Sequence, residues 1–315
     1  MADEVESNYV IMRHTKDNHL MVGGTDCDMS EYPGAVQDVE YQCKYVVRNT
    51  HYLKNIPDGK HQHWMVIVEL HFPDTETIGK DSFKMCQKLE RIFFPHVETI
   101  GESAFMWCES LLSLDNSDGN FAMLESIDAK AFSECTSLHT ISLSGPTRNI
   151  GEESFKGCTS LASVTLGSAS IGNSCFKGCT SLVNATVGAS SIGSNCFDGC
   201  TSLDSFIGTN VTEIGEKAFN GCRNLKRINL NGMTSVPRTF FAGFSKMEHI
   251  YLASVSSCPD DVFSGMPNLE YIDLSNIPKA TVERDWSRWG VPNSTISKLI
   301  TIKTKGGDFV VPRNI

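Results

Sequence analysis

Apolar residues recur along the middle of the chain in a fixed order, with a period of about 22 residues. Each copy reads I-G-x-x-x-F-x-x-C-x-x-L-x-x-I-x-L, with landmarks at offsets 0, 5, 8, 11, 14 and 16. The copies begin at Ile78, Ile100, Ile127, Ile150, Ile171, Ile192, Ile214 and Val236, with degenerate copies at Cys258 and Ile277. A repeat of this length predicts a solenoid in which every copy supplies one short strand.

The order of apolar and polar positions within a copy predicts its local structure. In the copy that begins at Ile150, Val164 and Leu166 alternate with Ser163 and Thr165, so the apolar pair faces the core and the polar pair faces solvent. Strands of neighbouring copies then pair in parallel. The landmarks at offsets 5, 8 and 11 favour a short helical or 3₁₀ turn with one inward face. Stacked copies share one continuous core.

One copy carries a resemblance to a known family. Residues 214–230 read IGEKAFNGCRNLKRINL, which resembles the IGxxAFxxCxxLxxIxL unit of BspA-like, or Treponema-type, leucine-rich repeats of bacterial surfaces, gut bacteria and their phages. The resemblance covers residues 78–282. It implies a leucine-rich repeat solenoid of the α/β type with a parallel β-sheet on its concave face. It also implies non-catalytic recognition of a protein or glycan, often in adhesion.

The N-terminal part of the chain, residues 1–77, has no copy of the repeat. Its segments 9–12, 36–47 and 64–72 are rich in aromatic and β-branched residues, and they predict a small β-rich module. Such a module either caps the open end of the solenoid or attaches the repeats to a larger assembly.

The C-terminal part, residues 283–315, predicts a cap over the last repeat. Residues 283–289 favour a short amphipathic turn of helix, and residues 294–311 favour a closing hairpin. The predicted domains are therefore 1–77, 78–282 and 283–315.

Two groups of side chains raise the question of a metal. Offset 8 predicts a ladder of buried thiols, at Cys86, Cys108, Cys135, Cys158, Cys179, Cys200 and Cys222. Two CFxGC pairs, at Cys175, Cys179, Cys196 and Cys200, also have the residue types of a zinc site, but alanine replaces the first cysteine in other copies. His61 and His63 would place two imidazoles on one side of a strand, but the pair lies beside a turn, no further ligand follows at metal spacing, and a solvated loop explains it. We predict no metal and no cofactor.

Charge and hydropathy limit the class of partner. The net charge of −10 argues against nucleic acid, and no window reaches the roughly 18 apolar residues of a membrane span. The first residues, MADEVESNYV, lack the basic and apolar regions of a secretory signal. No phosphate loop and no nucleophile with a neighbouring base is found, so catalysis is the remotest hypothesis.

The exposed strand positions at offsets 13 and 15 are the candidate binding surface. The central copies hold small polar side chains there, at Thr140, Ser142, Ser163, Thr165, Asn184 and Thr186. The later copies place aromatic, charged and hydrogen-bonding side chains on one predicted patch, at Arg227, Asn229, His249, Tyr251, Tyr271 and Asp273. Tyr and Arg often anchor interfaces, although exposed strand positions also vary freely.

The prediction is a non-enzymatic recognition or adhesion scaffold that binds a protein or glycan through its concave face. The predicted setting is a phage virion, as a decoration or host-binding protein, or a cell surface reached without the Sec signal. Virion attachment would use residues 1–77 for assembly. An intracellular, cytoplasmic scaffold for protein–protein interaction is the alternative, and an enzyme is the remote one.

Overall fold

The computed structural model describes residues 54–62, 67–115, 119–143, 145–167, 170–295 and 298–313, with three backbone strands nearer the N-terminus. These residues form a solenoid of parallel strands whose stacked copies bury one continuous core. The fold is the predicted leucine-rich repeat solenoid, and the predicted hairpin closes its C-terminal end.

Two sheets run along the stack. The main sheet carries the exposed positions at offsets 13 and 15, and its strands are parallel except the last. Its strands are Ser113–Asp115, Thr140–Leu143, Ser163–Leu166, Asn184–Val187, Ser205–Gly208, Arg227–Asn229, His249–Tyr251, Tyr271–Pro278, Thr301–Lys305 and Phe309–Val310. The second sheet was not predicted and lies where each copy begins. Its strands are Asn55–Ile56, Thr77–Ile78, Thr99–Ile100, Ser126–Ile127, Asn149–Ile150, Ser170–Ile171, Ser191–Ile192 and Glu213–Ile214.

A third sheet joins the front of the chain to the repeats. Its strands, in spatial order, are Asn18–His19, Val10–Thr15, Tyr45–Arg48, Ile67–His71 and Arg91–Phe93. Tyr45–Arg48 pairs in parallel with Ile67–His71, so the front strands continue the row of repeat strands. The rest of the predicted segment 36–47 lies outside the described residues. The division of the chain at residues 77 and 282 stays a prediction.

The regular stacking reaches one copy further toward the N-terminus than the first predicted repeat at Ile78. Asn55–Ile56 pairs with Thr77–Ile78 in the same register as the later copies. His61 occupies the phenylalanine position of this copy and stacks on Phe83, with ring centroids 5.2 Å apart. His61 therefore lies buried in a turn, so neither the strand considered for it nor the predicted solvated loop is correct. Its predicted partner His63 lies outside the described residues.

The prediction of a short helical or 3₁₀ turn at offsets 5–11 holds only in part, because the backbone forms separate turns with i→i−3 hydrogen bonds and no continuous helix. In the copy that begins at Ile150, Glu153 and Gly157 have backbone φ angles of 55° and 73°. Left-handed residues at these two places interrupt a right-handed helix. Among the described residues the one α-helix is Lys279–Asp285, which begins after Pro278 and ends earlier than the predicted turn at 283–289. Proline suits a helix start because its fixed φ is already helical.

The glycine at offset 1 allows neighbouring copies to approach each other closely. A Cβ on Gly172 would lie 2.6 Å from the backbone nitrogen of Glu152. The Gly172 N–H donates to the carbonyl of Ile150 at 2.8 Å, and the same bond recurs along the second sheet. A side chain at this position would therefore push two copies apart.

We expect Gly172→Ala to lower the free energy of unfolding by about 1–3 kcal/mol, because its methyl group meets backbone that cannot move aside. Gly178→Ala is the matched control. Gly178 has a φ of 76°, but nothing lies within 4 Å of its added Cβ. Its left-handed strain of about 1 kcal/mol is partly offset by a loss of unfolded-chain entropy. Urea unfolding of both variants measures the difference, and equal losses would contradict a steric role for Gly172.

Ladders of phenylalanine and cysteine fill the core. The phenyl rings from Phe83 to Phe219 stack with centroids 5.2–5.4 Å apart. The seven predicted cysteines are buried, as expected. Each thiol donates to a carbonyl of the preceding copy, as Cys158 does to Phe132 at 3.3 Å. Burial raises the pKa of the Cys158 thiol well above its usual value.

The described thiols should be unreactive in the native protein, because a buried thiol with a raised pKa offers almost no thiolate. A disulfide-exchange reagent at pH 8 should therefore modify Cys158 only after denaturant is added. Mass mapping of the labelled peptides checks this. Cys258, whose pKa burial raises to about 12, lies in a later copy and serves as the comparison. Rapid native labelling of Cys158 would contradict the packing described above.

Candidate functional site

The six predicted binding residues lie together on three neighbouring strands of the main sheet. Arg227–Asn229, His249–Tyr251 and Tyr271–Pro278 pair in parallel register. One row across the strands contains Arg227, His249 and Tyr271, and the next contains Asn229, Tyr251 and Asp273. In the first two strands the residue between the rows is buried, so their row residues lie on the exposed face. On the third strand Tyr271 is partly exposed, but Asp273 is buried, contrary to its predicted exposure. We call these six residues the C-terminal patch.

The centre of the C-terminal patch is an aromatic cluster. The rings of Tyr251 and Tyr271 lie 5.5 Å apart, and the His249 ring meets Tyr271 edge-on at 6.4 Å. The three side chains are half-buried by one another. Burial raises the pKa of the Tyr271 phenol, and the Asp273 carboxylate raises it further. Tyr271 therefore keeps its proton at neutral pH and can donate a hydrogen bond to a ligand.

Charged side chains border the aromatic cluster, but not all of them are available to a ligand. Arg227 extends beside it and donates to Asp204 at 2.7 Å, while its side chain stays 47% exposed. Asp273 is only 6% exposed. Its carboxylate accepts the backbone N–H of Ser275 at 3.0 Å and pairs with Lys303 at 3.2 Å. Asp273 therefore orders the strand end, while Arg227 and the rings face outward.

The middle of the same face is flat and polar, as predicted. Thr140, Thr165, Asn184 and Thr186 are exposed there. Small hydroxyl and amide side chains give a ligand hydrogen-bonding groups but little apolar area. The larger side chains lie toward the ends of the described strand row, except for Ile207, which is 37% exposed beside Asn229.

A second group of large side chains lies at the N-terminal end of this face and was missed in the sequence. It consists of Glu69, His71, Arg91 and Phe93, which we call the N-terminal patch. They line a cavity of about 300 Å³ together with Ser113 and Asn120. The strand register places Glu69 beside Arg91 and His71 beside Phe93. Offsets 13 and 15 give Arg91 and Phe93 in the predicted copy at Ile78, and Glu69 and His71 once the copy at Ile56 is recognised.

The N-terminal patch is organised around one carboxylate. Glu69 is bonded by His71 and by Arg91, whose Nε donates to it at 2.7 Å. The hydrogen bond from His71 lowers the pKa of Glu69 to about 2, with Arg91 lowering it further against the effect of burial. Phe93 lies 5.5 Å from the His71 ring. Glu69 is therefore ionised at neutral pH and fixes the orientation of both the Arg91 and the His71 side chains.

The cysteine pairs considered for zinc lie inside the core. Cys175, Cys179, Cys196 and Cys200 are buried. Cys179 and Cys200 donate their thiol protons to the carbonyls of Phe155 and Phe176. Within the described ranges, no group of three or more His, Cys, Asp or Glu side chains could hold a metal ion. No helix in these ranges is both long and apolar enough to span a bilayer.

The sequence matches the model of a known repeat family. The model of the BspA type leucine rich repeat region matches residues 54–183 and 169–283, in six copies. The chain belongs to the BspA-type leucine-rich repeat family. Members of this family are repeat scaffolds that typically bind proteins or mediate adhesion, and they are generally non-enzymatic. No curated protein matches the chain in sequence.

Solved structures with a similar fold come from several bacteria. The pneumococcal vaccine antigen PcpA is 21% identical, with a TM-score of 0.43 over 71% of this BspA-type chain and 60% of its own. A leucine rich cell surface protein from Faecalibacterium prausnitzii is 21% identical, with a TM-score of 0.31 over 88% and 96% of the two chains. The T. pallidum leucine rich repeat protein is 19% identical, with a TM-score of 0.34 over 79% and 89%.

Proposed function

We propose that the chain is a non-enzymatic recognition or adhesion scaffold that binds a protein or glycan through its concave repeat face. Its setting is a phage virion or a cell surface. The observation that supports this proposal is the C-terminal patch, where Tyr251, Tyr271 and His249 form an aromatic cluster beside Arg227. Sugar rings and peptide side chains both pack on such clusters, while phenol and guanidinium groups supply directed hydrogen bonds.

A preformed surface lowers the cost of binding. The cluster lies on paired strands whose alternate residues are buried in the core, so ligand binding does not have to order the backbone. The N-terminal patch adds a second set of aromatic and charged groups at the other end of this face. A long ligand, such as a glycan chain or an extended protein surface, would contact both patches across the polar middle.

Paired variants test the concave face. We expect the labelled protein to bind whole bacterial cells or a glycan array, and Tyr251→Ala with Tyr271→Ala to weaken binding by about 30-fold, as for typical hot spots. Thr165→Ala with Thr186→Ala removes only small side chains from the same sheet and is the control. Equal binding by both double variants, or no binding by the wild-type chain, would contradict the proposal.

Residues 1–77 are proposed to join the chain to a larger assembly. Light scattering on the full chain tests this directly. An oligomer supports attachment through the front strands and a multivalent virion or surface protein. A monomer supports a cap that covers the end of the strand row and makes the intracellular interaction scaffold the better alternative.

A further inference from the structure

Neighbouring copies are normally joined by backbone hydrogen bonds on the side opposite the main sheet. In the copy that begins at Ile150, the N–H groups at offsets 3, 5 and 7 each donate at 2.9 Å to a carbonyl of the next copy. The donors are Glu153, Phe155 and Gly157, and the acceptors are Asn173, Cys175 and Lys177. The next copy therefore presents alternate carbonyls along an extended segment.

This bonding stops between the copies that begin at Ile214 and Val236. The second sheet ends at Glu213–Ile214. Pro237 occupies the glycine position of the next copy, and proline has no N–H to donate to the Ile214 carbonyl. Among the described residues, the N–H groups of Lys217, Phe219 and Gly221 have no hydrogen-bond acceptor. The equivalent N–H groups of the next copy also lack one, where Pro259 replaces the glycine, but the cleft lies at the first of these two junctions. Three backbone donors at alternate residues are left unpaired.

The phenyl stack breaks at the same junction. The rings of Phe197 and Phe219 stack at 5.3 Å and 6°. Phe219 next meets Phe240, edge-on at 6.2 Å and 81°. Phe240 stands where most copies have alanine or cysteine, and it is only partly buried. A cleft of about 580 Å³ opens here, lined by Ile214, Phe219, Phe240 and Phe244 among others.

The cleft combines features of a strand-addition site. An extended chain places alternate carbonyls on one side, which matches the three unpaired donors. The aromatic walls suit a bulky apolar side chain. The lining carries one exposed carboxylate, Glu216, beside Lys217, and Glu213 lies next to it on the strand Glu213–Ile214. Neither carboxylate forms an ion pair within the described part of the chain.

We propose that this junction cleft binds an extended segment of a partner protein, in which a bulky apolar residue is followed by a basic one. The segment pairs its alternate carbonyls with the N–H groups of Lys217, Phe219 and Gly221, in place of the next copy. Its apolar side chain lies against Phe219 and Phe240, and its basic side chain pairs with Glu216. The site is separate from the C-terminal patch and does not depend on the proposed function of that patch.

A peptide taken from the repeat itself is a suitable probe. The sequence of residues 171–178, IGNSCFKG, contains Phe176 followed by Lys177 and occupies the equivalent donors of an intact junction. In reducing buffer, we expect the full chain to bind this peptide with a Kd below about 1 mM. Amide hydrogen exchange at Lys217, Phe219 and Gly221 should be fast in the free protein and about tenfold slower with peptide.

Two sets of variants identify the site. Pro237→Gly with Phe240→Ala restores the common repeat residues, should close the cleft and should abolish peptide binding. Glu213→Lys with Glu216→Lys changes only exposed side chains, so it should leave the fold intact and weaken binding by about fivefold or more. Tyr251→Ala on the C-terminal patch should leave peptide affinity unchanged, and a peptide with serine in place of its phenylalanine should not bind.

Three outcomes would overturn the proposal. The first is slow exchange at Lys217, Phe219 and Gly221 in the free protein, which would mean that the junction is already closed. The second is the absence of binding, or binding that protects the C-terminal patch instead. The third is a concentration-dependent dimer that protects these amides without peptide, which would assign the cleft to a second copy of the chain.

Discussion

Phe155→Ala should lower the free energy of unfolding by about 3–5 kcal/mol, because it leaves a cavity that the rigid stack cannot fill. Phe155 is fully buried between Phe132 and Phe176, with centroids 5.4 Å away on either side and nearly parallel rings. The loss combines the transfer of a large apolar side chain with two broken ring contacts. The affected copy also lies in the middle of the array, so the substitution weakens its interfaces with both neighbouring copies.

Urea unfolding followed by circular dichroism measures this effect through its midpoint and slope. Val183→Ala is the control, since Val183 is 39% exposed and surface truncations usually change stability by less than about 0.5 kcal/mol. Phe155→Leu should fall between the two, because leucine refills part of the volume but does not stack. A Phe155→Ala variant as stable as Val183→Ala would show that the phenyl ladder contributes little.

Lowering the pH from 7 to 4 should cost the wild-type chain about 3 kcal/mol through His61 alone. Burial lowers the pKa of His61 from 6.5 to about 3, with Lys60 lowering it further. Below pH 6.5 the unfolded chain takes up a proton that the folded chain refuses until about pH 3. The unfolded state therefore binds more protons across this window, so stability is lost as the pH falls.

His61→Phe isolates this contribution. Phenylalanine is the common residue at this offset, and it would stack on Phe83 without a titrating group. Carboxylates such as Glu69, whose folded pKa is about 2, contribute less to the stability of the protein as the pH falls below their unfolded pKa. This loss is the same in both proteins, so it cancels in the comparison. The urea midpoints of the two proteins should diverge between pH 7 and pH 4, because the midpoint of the His61→Phe variant should fall less than that of the wild-type chain. Parallel pH profiles would contradict the neutral, buried state of His61.

Repetition made most of the fold predictable. The copies repeat the same apolar offsets about every 22 residues, so each copy supports the assignment of the others. Errors occurred where a copy had diverged. The copy at Ile56 was missed because His61 replaces its phenylalanine, and Glu69 and His71 were missed with it. Arg91 and Phe93 lie at the same offsets of the predicted copy at Ile78 but were not assigned to the binding surface. Once the copy at Ile56 is counted, offsets 13 and 15 of the two copies locate all four residues.

The turns could not be predicted from apolar spacing. A period of three fits a 3₁₀ turn, but it fits a series of hydrogen-bonded turns equally well. Glu153 and Ser174 adopt φ angles of 55° and 52°, and neither residue type signals a left-handed backbone. The N–H of each residue bonds to the next copy, at Asn173 and Ser194, but Lys217 adopts a φ of 56° without such a bond. The left-handed residue is therefore a property of the repeated turn and does not require the bond to the next copy.

The sequence by itself determined the repeat, the buried face and the positions on the exposed face. These follow from local alternation, which one copy already contains. Only the tertiary structure decided how well each copy joins the next. It showed that Asp273 forms an ion pair with Lys303. It also showed that a cleft opens between the copies that begin at Ile214 and Val236, where Pro237 replaces the glycine. Both depend on distances between residues more than 20 positions apart, and the pattern within a single copy holds no information on such distances.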